Sequence, residues 1–222
     1  MAYRRTSFAP DEWYHCYNRG IDKRAVFETS MDYDRFMEAL YLSNSESILQ
    51  RSSFQKRDHD HIMQLQRGKQ IVDIAAYCMM PNHFHILLRE MAEGGITKFM
   101  HKVGTSYTMY FNAKRGRTGN LFVKPFRSKY IADDRYFKRV VQYIHLNPAE
   151  LFEKDWKTGN VLNLGKLEHH LRTYPFSSLY DYYGLSRNES AILGPIFPEV
   201  QNGLPMLKDL LEDSQSYYKN LR

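Results

Sequence analysis

Two histidines one residue apart, His83 and His85 in "CMMPNHFHILLRE", stand in a stretch that otherwise reads as a buried strand. Alternate side chains of a strand share a face, with Cα atoms about 6.5–7 Å apart, so the two imidazoles are neighbours while Phe84 and Ile86 face the other way. That placement suits two imidazoles gripping one divalent metal ion. The plainer alternative is a pair of core histidines, each needing its own hydrogen-bond partner once removed from water. A second His-x-His, His59 and His61 in "RDHDHIMQ", lies in a charged segment where water can satisfy both rings.

Two ligands do not make a useful site, and "DRYFKRVVQYIHLNP" offers a third. It reads as a helix capped by Asp133 or Asp134, with Phe137, Val140, Val141 and Ile144 as its buried stripe. Beside that stripe run Arg139, Tyr143 and Asn147 at i, i+4 and i+8, so a phenol and an amide oxygen share one helical edge. Alternatively, Tyr143 is a boundary residue and Asn147 a helix-end signal, because the residue before Pro148 is pushed out of the α region. Taken together, the parts match one chemistry. A metal held by two imidazoles and an amide oxygen keeps positions open for a phosphate oxygen and polarises a phosphodiester. A phenol with an ordinary pKa of about 10 is a poor nucleophile at neutral pH, a handicap that a cation or a metal-activated electrophile lessens. Attack by Tyr143 would give a covalent phosphotyrosine. Such a bond conserves the phosphodiester energy, so a free DNA 3′-hydroxyl can displace it and reseal without ATP. His101 and His145 are read as structural, and the face of His15 is left unassigned.

These residues need a scaffold. "EWYHCYNRG" alternates and ends in a turn, giving a first strand over Trp13 to Asn18. A helix follows, capped by Ser30, with Tyr33, Phe36, Met37, Leu40 and Tyr41 on its apolar side. "IVDIAAYCMM" and "HFHILLRE" are the second and third strands around a Pro81-Asn82 turn. Ile96, Phe99, Met100, Val103, Tyr107 and Tyr110 recur at helical spacing until Gly116 stops the second helix. "FRSKYIA" is the fourth strand. The order β-α-β-β-α-β predicts an α+β, ferredoxin-like fold: an antiparallel sheet with helices on one face. The helix bearing Tyr143 and a helical C-terminal tail are additions, the tail ending in an amphipathic piece near Met206 to Tyr218. The segment from Ser43 to Gln70 is polar and poorly periodic, either a long excursion or a helix-containing insertion.

A chain of 222 residues with 43% hydrophobic content is globular and holds one domain or one domain with an appendage. No apolar run approaches the roughly 18 residues of a membrane span, and no secretory signal is visible, so a cytoplasmic protein is expected. Cys16 and Cys78 lie in apolar runs outside any CxxC, as buried reduced thiols. Net charge is +6. Its distribution matters more, because between Lys98 and Arg139 only Asp133 and Asp134 oppose the basic residues. A one-signed stretch of this kind attracts a phosphate backbone.

"MMPNHFHILL" and "VVQYIHLNPAE", with "NRG" near the start and "GNLFVKPFRSKYI" between, resemble the REP-associated tyrosine transposases. These belong to the IS200-like single-tyrosine transposases whose histidine–hydrophobic–histidine motif gives the HUH group its name. The likeness runs from about Trp13 to Glu150, and "YPFSSLYDYYG" looks like the family's tail motif. Residues 1–150 would be the transposase domain and 151–222 a C-terminal extension packed on it. The resemblance implies single-stranded DNA cleavage, a Mg²⁺ or Mn²⁺ ion and a 5′-phosphotyrosine intermediate. Position by position, His83 and His85 become metal ligands and Tyr143 the nucleophile. Asn147 falls where related enzymes place a glutamine as third ligand, and the shorter amide is a departure. Family members recognise imperfect DNA hairpins with a short single-stranded guide. On that basis Arg19, Lys114, Arg115, Arg117, Lys124, Arg127 and Lys129 become candidate contacts to the DNA backbone. A monomer and a homodimer with tyrosine supplied in trans both remain open. Two rivals stand beside this reading. One is a non-catalytic hairpin-binding protein on the same scaffold, and the other an RNA-processing nuclease.

Overall fold

The computed structural model describes residues 7–158 and 161–201, with Asp209 and Leu211. Its strands are β1 (Trp13–Arg19), β2 (Val72–Met80), β3 (His83–Glu90) and β4 (Arg127–Tyr130). They form one sheet in the order β2-β3-β1-β4, with every neighbouring pair antiparallel. The principal helices are α1 (Ser30–Ser43), α3 (Gly95–Arg115) and α4 (Asp134–Leu146), with a short α2 (His59–Met63) between α1 and β2. Among the described residues, four more α-helices follow: α5 (Ala149–Phe152), α6 (Leu164–Thr173), α7 (Leu179–Tyr182) and α8 (Phe197–Gln201). The predicted α+β class and β-α-β-β-α-β order are present, with α2 as an insertion. Among the described residues no helix is long and apolar enough to cross a membrane.

Alternation along the strands divides the molecule into two layers. Tyr14 and Cys16 of β1, and Phe84, Ile86 and Leu88 of β3, pack with Phe36 and Leu40 of α1 and Phe99, Val103 and Tyr107 of α3. The opposite face is covered as well, so the expectation of helices on one face holds only for α1 and α3. Val140, Val141 and Ile144 of α4 pack there against Ala75, Ala76, Cys78 and Leu87. A bulge between Ile74 and Ala76 turns two successive small residues toward α4 and restores the alternation at Tyr77. That lets the helix lie close over the sheet.

The outer edge of β2 is paired rather than open. The Met79 amide donates to the carbonyl of Phe176, the Ser178 amide to that of Tyr77, and the Tyr77 amide to Ser178 Oγ. Tyr174 and Tyr182 add hydroxyl bonds to the carbonyls of Met79 and Ala75. The "YPFSSLYDY" segment thereby satisfies an edge that would otherwise expose unpaired backbone groups. The expected amphipathic piece at Met206 to Tyr218 lies outside the described residues except for Asp209 and Leu211.

One helix starts a residue earlier than expected, and another ends where expected but on an unexpected backbone. The N-cap of α1 is Thr29 rather than Ser30, because the Asp32 carboxylate reaches back to the Thr29 amide in a capping box. Asn147 retains α-helical backbone angles (φ −53°, ψ −43°) although Pro148 follows it. Its side-chain amide donates to the carbonyl of Tyr143 at 3.2 Å, and its backbone amide turns to that of Ile144. Pro148 then opens α5, where its missing donor is not needed.

Candidate active site

Register places the histidine pair at the centre of the sheet. His83 stands opposite Met80 and Arg19, and His85 opposite Cys78 and Tyr17. Directly paired residues share a face, so Arg19, Tyr17 and both histidines all point toward the α4 side. The two imidazole centroids are 5.1 Å apart and nearly perpendicular.

Helix α4 brings the other two residues to the same place within one chain. The Tyr143 ring lies 5.3 Å from that of His85, edge-on at 84°. It is 38% exposed, open to an incoming strand. Asn147 is buried, and its Oδ1 sits 3.3 Å from His83 Nε2. Because its Nδ2 is spent on the Tyr143 carbonyl, the amide oxygen is the atom turned to the histidine.

His83 has a carbonyl oxygen at each ring nitrogen. Asn82 Oδ1 lies 2.6 Å from Nδ1 and Asn147 Oδ1 lies 3.3 Å from Nε2, so a neutral ring that gives its one hydrogen to the shorter contact turns its Nε2 lone pair toward Asn147 Oδ1. In that tautomer two acceptors face one another, an arrangement that could hold a cation. Burial holds His83 below the ordinary histidine range, with Asn147 opposing and Arg19 adding to the effect. His85 is held well below it by burial, then by His15, His83 and Arg19. Both rings are therefore neutral at pH 7, as metal ligation requires.

A residue left unassigned by sequence joins them. His15 of β1 is buried, and its Nε2 lies 2.8 Å from His85 Nδ1. Its ring is 5.8 Å from Tyr143. Burial, with Lys129 adding, lowers its pKa to about 4. The alternation of β1 that carries Tyr14 and Cys16 inward would have set His15 and Tyr17 on the opposite face.

The predicted backbone contacts separate into two groups. Arg19, Arg127 and Lys129 are exposed on the histidine face, with Arg127 paired to Tyr17 and Lys129 to His15 in the sheet. Lys129 Nζ also sits 5.0 Å over the Tyr136 ring. Lys114 instead bonds the fully buried Asp32 at 2.6 Å, Arg115 pairs with Glu28, and Arg117 holds Asn112 at 2.7 Å. These three brace the end of α3, while Lys124 is exposed in the loop before β4.

His145, next along α4, is structural in its contacts. It is fully buried, bonds Ser178 Oγ at 2.8 Å and stacks edge-on against Tyr182. His59 is not water-satisfied as expected. Its Nε2 bonds Glu189 at 2.9 Å and its Nδ1 lies 3.4 Å from Glu38, at ion-pair distance but poorly aligned for a hydrogen bond. Against the opposing effect of burial, those carboxylates raise it to about 10.

The sequence model described as "Transposase IS200 like" matches residues 13–147, which spans the sheet, α1, α3 and α4 as far as Asn147. The chain belongs to the IS200-like transposase family. A solved structure described as a REP-associated tyrosine transposase bound to a REP hairpin shares the fold of this family member. The two superpose with a TM-score of 0.50 at 16% identity, covering 85% of this chain and 90% of the other. No curated protein matches the chain.

Proposed function

We propose that the chain is a metal-dependent single-stranded DNA transposase of the REP-associated type, with Tyr143 as nucleophile and His83, His85 and Asn147 as metal ligands. The observation that carries this reading is convergence: the four side chains meet on one sheet face within a single chain. Among the described residues, no three histidine, cysteine, aspartate or glutamate side chains are placed to share a metal ion. The third ligand in this reading is the Asn147 amide oxygen, supported by its position 3.3 Å from His83 Nε2. The family resemblance makes the ion Mg²⁺ or Mn²⁺, for which the amide oxygen and open positions for phosphate and water oxygens are suitable donors. When bound, it supplies Lewis acidity toward a phosphate oxygen.

The chain's own groups do the rest. Arg19, Arg127 and Lys129 draw the DNA backbone to the histidine face. The packing of α4 on β2 and β3 fixes Tyr143 beside His85, so the attacking oxygen meets the phosphate without an orientational search. The Tyr143 oxygen bonds to phosphorus, the bond from phosphorus to the 3′ oxygen breaks, and the phenol proton balances the released 3′-hydroxyl. The 5′-phosphate stays on Tyr143 until another 3′-hydroxyl reverses the step. The hairpin in the structurally similar protein supports a folded single strand as substrate.

Incubation with hairpin-bearing single-stranded DNA and Mn²⁺ tests the reading. A covalent protein–DNA adduct is expected that chelator and Tyr143→Phe each abolish. Adduct formation by Tyr143→Phe, or none by the parent chain across palindromic hairpins flanking its own gene, would overturn it. Binding that ignores both chelator and Tyr143→Phe, with no adduct, would favour a hairpin binder. An adduct formed better on the RNA version of the hairpin would favour an RNA enzyme.

A further inference from the structure

We infer that His15 is a positioning residue that fixes which nitrogen of His85 faces the cation, an inference that rests on His85 being a ligand as proposed above. The two imidazoles share one short contact, His15 Nε2 to His85 Nδ1 at 2.8 Å, and a single hydrogen must lie between them. If it belongs to His15, then neutral His85 carries its own hydrogen on Nε2 and has no lone pair left to give. If it belongs to His85 Nδ1, then His85 Nε2 is a bare lone pair and His15 serves as acceptor. Only the second arrangement lets His85 ligate, because its Nδ1 is already taken.

The neighbouring ligand is held in the same sense by different chemistry. His83 Nδ1 donates to Asn82 Oδ1, and Asn82 is itself anchored through Nδ2 to the carbonyl of Lys23 at 3.2 Å. Both imidazoles thus present Nε2 and are gripped from behind at Nδ1. An amide oxygen can only accept, so Asn82, at 2.6 Å against 3.3 Å for Asn147, draws the His83 hydrogen to Nδ1. An imidazole can donate or accept, so His15 locks His85 only while its own hydrogen sits on Nδ1.

Strand geometry explains why His15 can reach. It pairs with Leu87, two pairs along from the Tyr17–His85 pair and on the same face, so its ring crosses diagonally to His85. The ring also fills the space beside Tyr143 and Tyr17, at centroid distances of 5.8 and 5.1 Å. It therefore supports a ligand and the proposed nucleophile together without touching DNA or metal.

Long-range proton–nitrogen NMR on the metal-free protein reads the tautomer directly, and Mn²⁺ titration without DNA reads its consequence. In the parent chain His85 should carry its hydrogen on Nδ1. His15→Leu should lose that preference and bind Mn²⁺ about 10–100-fold more weakly, with the His83 tautomer unchanged. His15→Gln, which restores an acceptor, should recover much of the affinity and covers the case in which the leucine variant fails to fold. A hydrogen on His85 Nε2 in the parent, or parental Mn²⁺ affinity in a folded His15→Leu or a donor-only His15→Lys, would overturn the inference. His85→Ala separates the two claims. If it leaves Mn²⁺ binding intact, the ligand assignment itself fails. If it abolishes binding while His15→Leu does not, only the role of His15 is lost.

Discussion

The chain contains His-x-His twice, and the two copies behave as opposites. In β3 the period of two puts His83 and His85 on one face, their rings 5.1 Å apart. In α2 the same spacing turns the second residue about 200° around the axis, so His59 reaches Glu38 and Glu189 while His61, equally half-buried, is turned away from them. The partners diverge as well. The strand pair meets neutral oxygens and a third imidazole, so burial dominates and the rings stay uncharged. His59 meets Glu38 and Glu189 and is held as a cation that ties α2 to α1 and to the 3-10 helix Asn188–Ile192 before α8. A motif written in letters becomes a pair of neutral rings on one face or an ion-pair clamp according to the secondary structure beneath it.

The sharpest way to break this contrast is to exchange the roles. His83→Ala and His85→Ala should each abolish the DNA adduct and weaken Mn²⁺ binding by at least two orders of magnitude, whereas His61→Ala should change neither. Equal losses from both motifs, in adduct gels and metal titration, would end the distinction. His59→Ala should act on stability alone. Removing the cation leaves the Glu38 and Glu189 carboxylates short of a partner, at a cost of about 1–3 kcal/mol in urea unfolding, with the adduct rate unchanged. Arg35 and Arg51, still bonded to Glu38, limit that cost.

A smaller effect separates the two regions by pH. His15 has its pKa lowered to about 4, so from the ordinary 6.5 down to about 4 the unfolded chain binds the extra proton and stability falls with acid. His59 has its pKa raised to about 10, so its contribution is full below 6.5 and drains away as pH rises toward 10. Unfolding curves should show a maximum near neutral pH, and His59→Ala should flatten the alkaline limb only. An unchanged alkaline limb in that variant would remove the charged clamp from the account.

Much of this was legible because it is periodic. Alternation in "HFHILLRE" places both histidines on the α4 face, and the spacing of Tyr143 and Asn147 puts them on one helical edge. What sequence left open depends on partners distant along the chain. His15 stayed unassigned because β1 carries large rings on both faces, Tyr14 inward and Trp13 and Tyr17 outward, so no apolar side stands out. Lys114 read as an available cation until Asp32, far earlier in the chain, appeared against it. The covered edge of β2 depends on a tail segment about a hundred residues later, paired through backbone groups that side-chain patterns do not encode. Helix α4 ends at Asn147 as expected, although a side-chain bond from Asn147 keeps its backbone helical against the usual bias before proline.

The central claim is that one chain gathers a phenol, two imidazoles and an amide oxygen around a single divalent cation. Anomalous scattering from a crystal of the full chain soaked in Mn²⁺ tests it most directly. The account predicts one peak at ligand distance from His83 Nε2, His85 Nε2 and Asn147 Oδ1, beside the Tyr143 hydroxyl of the same molecule. A peak bound without His83 and His85, or a Tyr143 carried away from those rings on its helix, would contradict it.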